Sequence, residues 1–269
     1  MHKIQSYEQI QDFIVRVRSL RSGFVTNFYW DEKRHPYWIS SGTFFYIEGE
    51  GCILLLHQNE GFYNLYYIAT CFESVSSQVN VVLVDSDIIV DIVCRGDGKK
   101  EKSAFHDMGF IDYSHLYRMS HVGQMAQEDW REDADVKYAS PKDVTLISKV
   151  FQNEFDPLCE QLPSEREIQD FIEKNQLFII KEKDNLCGFL ISEQDGVTWY
   201  LRYWYTSPDY RNKGIGAKLL KTSLIHSMDS KRQIFWVISE NENAIKRYEH
   251  YGFKRENMND FVMIKKKTN

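Results

Sequence analysis

The stretch that most constrains this chain is Tyr210-Arg211-Asn212-Lys213-Gly214-Ile215-Gly216-Ala217. Before it, Val197 to Thr206 is rich in β-branched and aromatic side chains, which suit a strand. Ser207-Pro208-Asp209 ends that strand, because proline lacks the ladder donor and serine and aspartate favour turns. Ile215, Leu219, Leu220 and Met228 then recur near helical spacing, so a helix is predicted to begin at the glycines. Glycines let successive backbone N–H groups point at one spot, and the first turn of a helix carries unpaired N–H groups and partial positive charge. With Arg211 and Lys213 beside them, the stretch reads as a seat for a phosphate or pyrophosphate.

Three phosphate-binding patterns compete for it. A Walker loop requires Gly-Lys-Ser/Thr after a longer spacer, whereas Gly216 is followed by Ala217. A dinucleotide fold requires a third glycine where this chain has Leu219. The remaining pattern, Arg-x-x-Gly-x-Gly after a strand and a proline turn, resembles the coenzyme A pyrophosphate loop of the GNAT N-acetyltransferases. Further on, Ile234 to Ile238 reads as a strand and Asn241 to Tyr251 as a short helix stopped by Gly252. Ser239 and Glu242 have capping-box spacing, with Asn241 as the alternative cap, and Ala244 and Tyr248 share one face. This run, through Tyr248-Glu249-His250-Tyr251-Gly252-Phe253, resembles the second GNAT signature, Asn-x-x-Ala…Tyr-Glu-x-x-Gly-Phe. The two motifs stand in family order and at family spacing, over roughly the last half of the chain.

The resemblance implies an α/β GNAT fold, a mixed and mostly antiparallel sheet flanked by helices. It implies acetyl transfer from acetyl-CoA, as co-substrate, to the amine of a small-molecule or peptide acceptor, with no metal. On that reading backbone N–H groups of Asn212, Lys213, Gly214, Ile215, Gly216 and Ala217 hold the pyrophosphate, and Arg211 adds charge. The pantetheine arm lies along Tyr205 and Thr206 like an added strand, where family members splay two strands apart. A backbone N–H near Tyr205 or Thr206 meets the oxyanion. Tyr248 stands where many members keep the donor that protonates the departing thiolate; the alternative is a core aromatic. Asn241 bonds the pantetheine arm or simply caps its helix, two roles that are compatible. No carboxylate lies between Val197 and Pro208, where many members keep a base. Glu193, Glu240 and Glu242 are nearby but equally suited to a solvated surface. Arg202 is either a structural ion-pair partner or a group facing the acceptor.

In the first half, Ser6 to Leu20 reads as a helix with a Ser6/Gln9 capping box. Strands follow near Thr43–Ile47, Ile53–Leu56, Phe62–Ile68 and Ile88–Val93. Cys52…Gly61…Thr70 echoes Cys187…Gly196…Thr206, and Phe105-His106-Asp107-Met108-Gly109-Phe110 echoes the run from Tyr248 to Phe253. These echoes suggest an internal duplication. No Arg-x-x-Gly-x-Gly occurs between Thr70 and Ile88, and Phe105 stands in the place of Tyr248. Residues 1–123 are therefore expected to form a degenerate GNAT-like lobe, structural or acceptor-shaping. The polar, acidic stretch 124–135 is the linker candidate, and 136–269 the intact lobe. There a strand (Val136–Ala139), a helix opened by Ser140-Pro141, and a helix capped by Ser164 and Glu167 precede a hairpin, Leu177–Ile180 with Gly188–Ile191.

The 269 residues suit two domains, and 33 basic against 39 acidic side chains give a net charge of −6. That balance disfavours nucleic-acid partners. The five cysteines are scattered without a Cys-x-x-Cys pair, which points to free thiols rather than metal ligands. The opening residues lack a signal-peptide core and no apolar run reaches membrane-spanning length, so a cytoplasmic protein is expected. Oligomeric state stays open. The competing functional reading is a non-catalytic acyl-CoA-binding sensor or interaction module.

Overall fold

The computed structural model describes residues 1–80, 85–125 and 130–267. Two compact units divide the chain: Met1–Leu116 with the C-terminal segment from Asn257 on, and Tyr117–Glu256.

In the first unit the chain runs β1 (His2–Lys3), α1 (Tyr7–Ser19), β2 (Val25–Thr26), α2 (His35–Ser41), β3 (Phe44–Gly49), β4 (Cys52–Gln58) and β5 (Phe62–Ala69). It continues through α3 (Phe72–Val79), β6 (Asp87–Arg95), α4 (Lys99–Asp107) and the start of β7 (Ile111–Val122). Alternation along the strands separates two cores. Leu54, Leu56, Leu65 and Tyr67 pack with Val75 and Val79 of α3 and Phe105 of α4. Ile53, Leu55, Tyr66 and Ile68 pack with Ile10, Phe13 and Val17 of α1 and Trp38 of α2. β4 pairs antiparallel with β5, whereas β5 meets β6 in parallel only through Phe62↔Asp87, Tyr63↔Ile88 and Asn64↔Ile89.

The second unit holds β8 (Lys137–Tyr138), α5 (Val144–Glu154), α6 (Glu165–Glu173), β9 (Leu177–Glu182), β10 (Asn185–Asp195) and β11 (Thr198–Thr206). Then come α7 (Ile215–Ile225), β12 (Arg232–Ile238), α8 (Glu242–His250) and the start of β13 (Lys254–Lys265). Its strand order is β12-β11-β10-β9-β8. Ile147, Phe151, Ile168 and Ile172 of α5 and α6 cover one face with Leu177, Ile179, Phe189 and Ile191. Leu219, Leu220, Leu224 and Ile245 of α7 and α8 cover the other with Phe178, Ile180, Leu190 and Trp199. At its centre the fully buried Ser223 accepts from Trp199 Nε1 at 3.2 Å and shares a 2.7 Å hydrogen bond with Ser192.

Three features differ from the sequence expectations. Ser6 is the N-cap of α1 but its side chain makes no capping bond; Gln9 Oε1 accepts from the Gln5 N–H instead, at 2.9 Å. The Ser164/Glu167 box, by contrast, forms on α6. The units also divide elsewhere than at 123 and 136. Met258 to Lys265 of β13 pair antiparallel with β6 of the first unit, from Met258↔Arg95 to Lys265↔Ile88. Strand partnership between distant segments is set by backbone hydrogen bonds that composition does not encode. The acidic 124–135 stretch is not a free tether where it is described: Asp133 and Asp135 ion-pair with Lys218, and Trp130 lies under Lys221. Residues 126–129 of that stretch lie outside the described residues.

Candidate active site

β11 and β12 pair in parallel only at Thr198↔Arg232, Trp199↔Gln233 and Tyr200↔Ile234. Beyond Tyr200, β11 keeps its other neighbour as far as Gly188↔Thr206, but among the described residues none of β12 pairs with Leu201–Thr206. A wedge opens there, with backbone N–H and C=O groups on its β11 edge. The β10–β11 register also slips: Ile191 faces Tyr203 and Ser192 faces Leu201, which leaves Arg202 as the extra residue of a β-bulge.

At the head of the wedge, Pro208–Tyr210 forms a 3-10 turn and Gly214 is the N-cap of α7. Asn212 (φ 63°) and Gly214 (φ 77°) both take the left-handed conformation, which brings the chain round to the helix start. A Cβ at Gly214 would meet nothing within 4 Å, so this cradle is open. At Gly216 a Cβ would lie 3.1 Å from Trp204 Cζ2 and 3.3 Å from Thr206 Oγ1, so the glycine lets α7 seat against β11. Arg211, Asn212, Lys213 and Ala217 are exposed and Ile215 is half-buried; Lys213 Nζ sits 4.7 Å from the Tyr210 ring centre. Two exposed cationic residues thus stand on the turn that leads into a helix start with its free N–H groups. Trp204 Nε1 is buried and has no hydrogen-bond partner among the described residues.

Tyr248 comes to the same region from α8, 5.6 Å from Trp204 and 4.3 Å from Phe235 between ring centres. Burial pushes its phenol up to about 12, with Arg247 opposing and the charge of Glu160 adding to the rise. The phenol keeps its proton at neutral pH but is a weaker acid than the unperturbed tyrosine the sequence suggests. Asn241 Oδ1 accepts from the Ala244 N–H at 3.2 Å, so Asn241 rather than Ser239 caps α8.

The carboxylates sort clearly. Glu193 is not a solvated charge: its side chain is 4% exposed and Oε2 lies 2.5 Å from Arg202 Nε. Glu240 and Glu242 are exposed, and Glu242 pairs with Lys246 at 3.5 Å. Sequence reasoning missed Glu160, on the loop between α5 and α6. Its Oε2 accepts from the Asp156 N–H at 2.9 Å, and burial raises its pKa. The loop is tied to β11 by Tyr203, whose hydroxyl donates to Gln161 O at 2.8 Å. No motif flags Glu160; only folding brings its charge to bear on the Tyr248 phenol.

The first unit repeats the strand wedge but fills it. Val25 and Thr26 pair with Ala69 and Ile68 of β5. Asn27 then bridges the parting strands: Nδ2 donates to Leu65 O at 3.1 Å and to Asp91 O at 3.3 Å, and Oδ1 accepts from the Tyr67 N–H at 2.8 Å. Thr26 Oγ1 donates to Tyr67 O at 2.6 Å. After β5 the chain enters α3 at Cys71 without a glycine loop, and the fully buried Phe105 holds the position of Tyr248.

Residues 145–253 match the model of the acetyltransferase (GNAT) family. The second unit therefore carries a GNAT acetyltransferase domain. Solved structures with the same fold include a GCN5-related N-acetyltransferase from Sphaerobacter thermophilus (11% identity, 82% of each chain, TM-score 0.58). A GNAT-family acetyltransferase from Colwellia psychrerythraea matches 98% of each chain (14% identity, TM-score 0.57), so the likeness extends through the first unit. A tandem GNAT protein from the clavulanic acid biosynthesis pathway matches 81% of this chain and 79% of its own (10% identity, TM-score 0.57). No curated protein matches at the level of sequence.

Proposed function

We propose that this protein is an acetyl-CoA-dependent N-acetyltransferase that moves an acetyl group directly to the amine of a small-molecule or peptide acceptor in a ternary complex. The observation that carries this reading is the β11–β12 wedge beyond Tyr200, opening beside the glycine turn of α7. A coenzyme A thioester fits the residues present: an open cradle at Gly214, paired cations at Arg211 and Lys213, and an unpartnered indole N–H at Trp204.

On this reading the N–H groups from Asn212 to Ala217 grip the pyrophosphate, and the β11 edge through Tyr205 and Thr206 exchanges hydrogen bonds with the amide-bearing arm. A backbone N–H near Tyr205 or Thr206, on the β11 edge left without a β12 partner, stabilises the negative charge that develops on the reacting carbonyl. Tyr248 donates its proton to the leaving sulfur. The first unit is a tandem, degenerate lobe whose own chain takes the place of the arm, leaving it a structural or acceptor-shaping part. Five free cysteines accord with the reducing cytoplasm, and no described helix is long and apolar enough to cross a membrane.

The sensor alternative draws on Glu193, the buried sheet carboxylate, being already neutralised by Arg202. Calorimetric titration with acetyl-CoA, followed by thiol release with an amine panel, separates the two. Tyr248→Phe is expected to keep acetyl-CoA affinity and to lose about 100-fold or more in rate. Unchanged turnover would remove Tyr248 as the acid, and binding without any turnover would favour the sensor.

A further inference from the structure

Acetyl transfer to an amine needs a group that takes the nitrogen's proton, and one carboxylate at the site is held in a way that suits it. We propose that Glu160 is the general base of this site and that its acceptor is an alkylamine bound as the ammonium ion; this deepens, and rests on, the transfer reading above. Glu160 lies on the α5–α6 loop, anchored by Tyr203 to the β11 position between the bulged Arg202 and Trp204. That is where the wedge opens. The Asp156 N–H holds Oε2 at 2.9 Å, and the Glu160 N–H returns a 2.9 Å bond to Asp156 O. Among the described residues Oε1 has no hydrogen-bond partner. A carboxylate fixed by one oxygen and available by the other is what a base needs.

The other carboxylates near the wedge are engaged or exposed; Glu154 and Asp209, whose charges bear on Tyr205, both lie on the exposed surface. Glu193 is bound to Arg202, Glu182 accepts from the Tyr210 hydroxyl at 2.9 Å, and Glu240 and Glu242 are exposed. The groups that bear on Glu160 are Asp156 on its own loop, Tyr203 of β11, and Tyr248 of α8, whose phenol also feels Arg247. Two carboxylates, Asp156 and Glu160, stand on this loop, and a negative charge beside the acceptor favours a cation over a neutral amine. Burial raises Glu160 toward the pH at which a base works best.

The protons balance. The ammonium gives one proton to Glu160, which passes it to solvent. The freed amine attacks the thioester carbonyl, the C–N bond forms and the C–S bond breaks. Tyr248 gives its proton to the leaving sulfur and regains one from the attacking nitrogen. The net change is ammonium plus thioester to amide, thiol and one released proton.

The test uses the full chain, acetyl-CoA, and three probes: spermidine, phenethylamine and methoxyamine, the last unprotonated at neutral pH. Glu160→Gln keeps the acceptor for the Asp156 N–H. It is expected to bind acetyl-CoA within twofold of wild type and to lose about 100-fold or more in kcat/KM with the alkylamines. The loss with methoxyamine should be much smaller. Equal alkylamine turnover, or equal losses with all three probes, overturns the proposal. Wild-type protein that binds acetyl-CoA but acetylates neither alkylamine also overturns it, while leaving the cofactor reading standing. Failure to bind acetyl-CoA removes that reading, and this proposal with it. Should Glu160→Gln itself lose the cofactor, the wild-type pH profile decides: an acid limb in kcat/KM above the ordinary glutamate range supports Glu160, and its absence overturns it.

Discussion

Asn27→Ala tests how the first unit closes its own wedge. The side-chain amide makes three bonds to backbone groups, to Leu65 O, Asp91 O and the Tyr67 N–H, and so ties β5 to β6 where their ladder has ended. Alanine removes all three, and water reaches the partly buried backbone groups only in part. At about 1 kcal/mol per bond the loss is about 3 kcal/mol, and more where a group stays dry. Thr26 remains bonded to Tyr67 O, so the strap should loosen rather than leave. Amide hydrogen exchange reads this directly. Protection of the Tyr67 N–H, which points at Asn27 Oδ1, is expected to fall by roughly 100-fold, with a smaller change at residues of the second unit. Unchanged protection at Tyr67 would refute the bridging role and with it the account of the first unit's filled wedge.

Three further outcomes are expected. Acetyl-CoA should bind with a stoichiometry of one per chain, since residues 25–27 already occupy the first unit's wedge; two sites by calorimetry would contradict this. Gly214→Val should weaken acetyl-CoA binding about tenfold or more with little change in Tm beyond the φ strain, about 1–2 kcal/mol. Gly216→Val should lower affinity and Tm together, because its side chain meets Trp204 and Thr206; equal behaviour of the two variants by titration and thermal melting would undo the distinction. His35 is buried, accepts from the Asp31 N–H at Nδ1, and is pushed down to about 4 by burial, against the pull of Asp31. The unfolded chain takes up that proton near pH 6.5 and the folded unit only near 4, so stability present above about 6.5 should fall by up to about 3 kcal/mol as pH drops toward 4. Denaturation at pH 7 and 4.5 should show the slope flattened in His35→Gln.

Much of the second unit is legible in the residues themselves. The α7 glycines, the proline turn before them and the Ser164/Glu167 cap act over a few residues, where chain conformation answers to local sterics and hydrogen bonds. The strands announce themselves as apolar, β-branched and aromatic runs between turn residues, and the missing glycine loop after Thr70 marks the first unit as different. α2, seven residues long, is too short for periodicity to reveal.

What the sequence determined, then, is local: where a phosphate-ready helix start falls, which apolar runs between turns form strands, and which tyrosine follows the second motif. Tertiary structure alone decided the long-range matters. It brought the charge of Glu160 to bear on Tyr248, neutralised Glu193 with Arg202, drew Asn27 into the β5–β6 wedge and paired the last strand with β6. Most of those partners lie far apart along the chain, and even Glu193 and Arg202, nine residues apart, meet only because adjacent strands pair in this register. Their meeting depends on sheet register and on which polar groups must be satisfied once buried, and no short stretch of sequence carries that information.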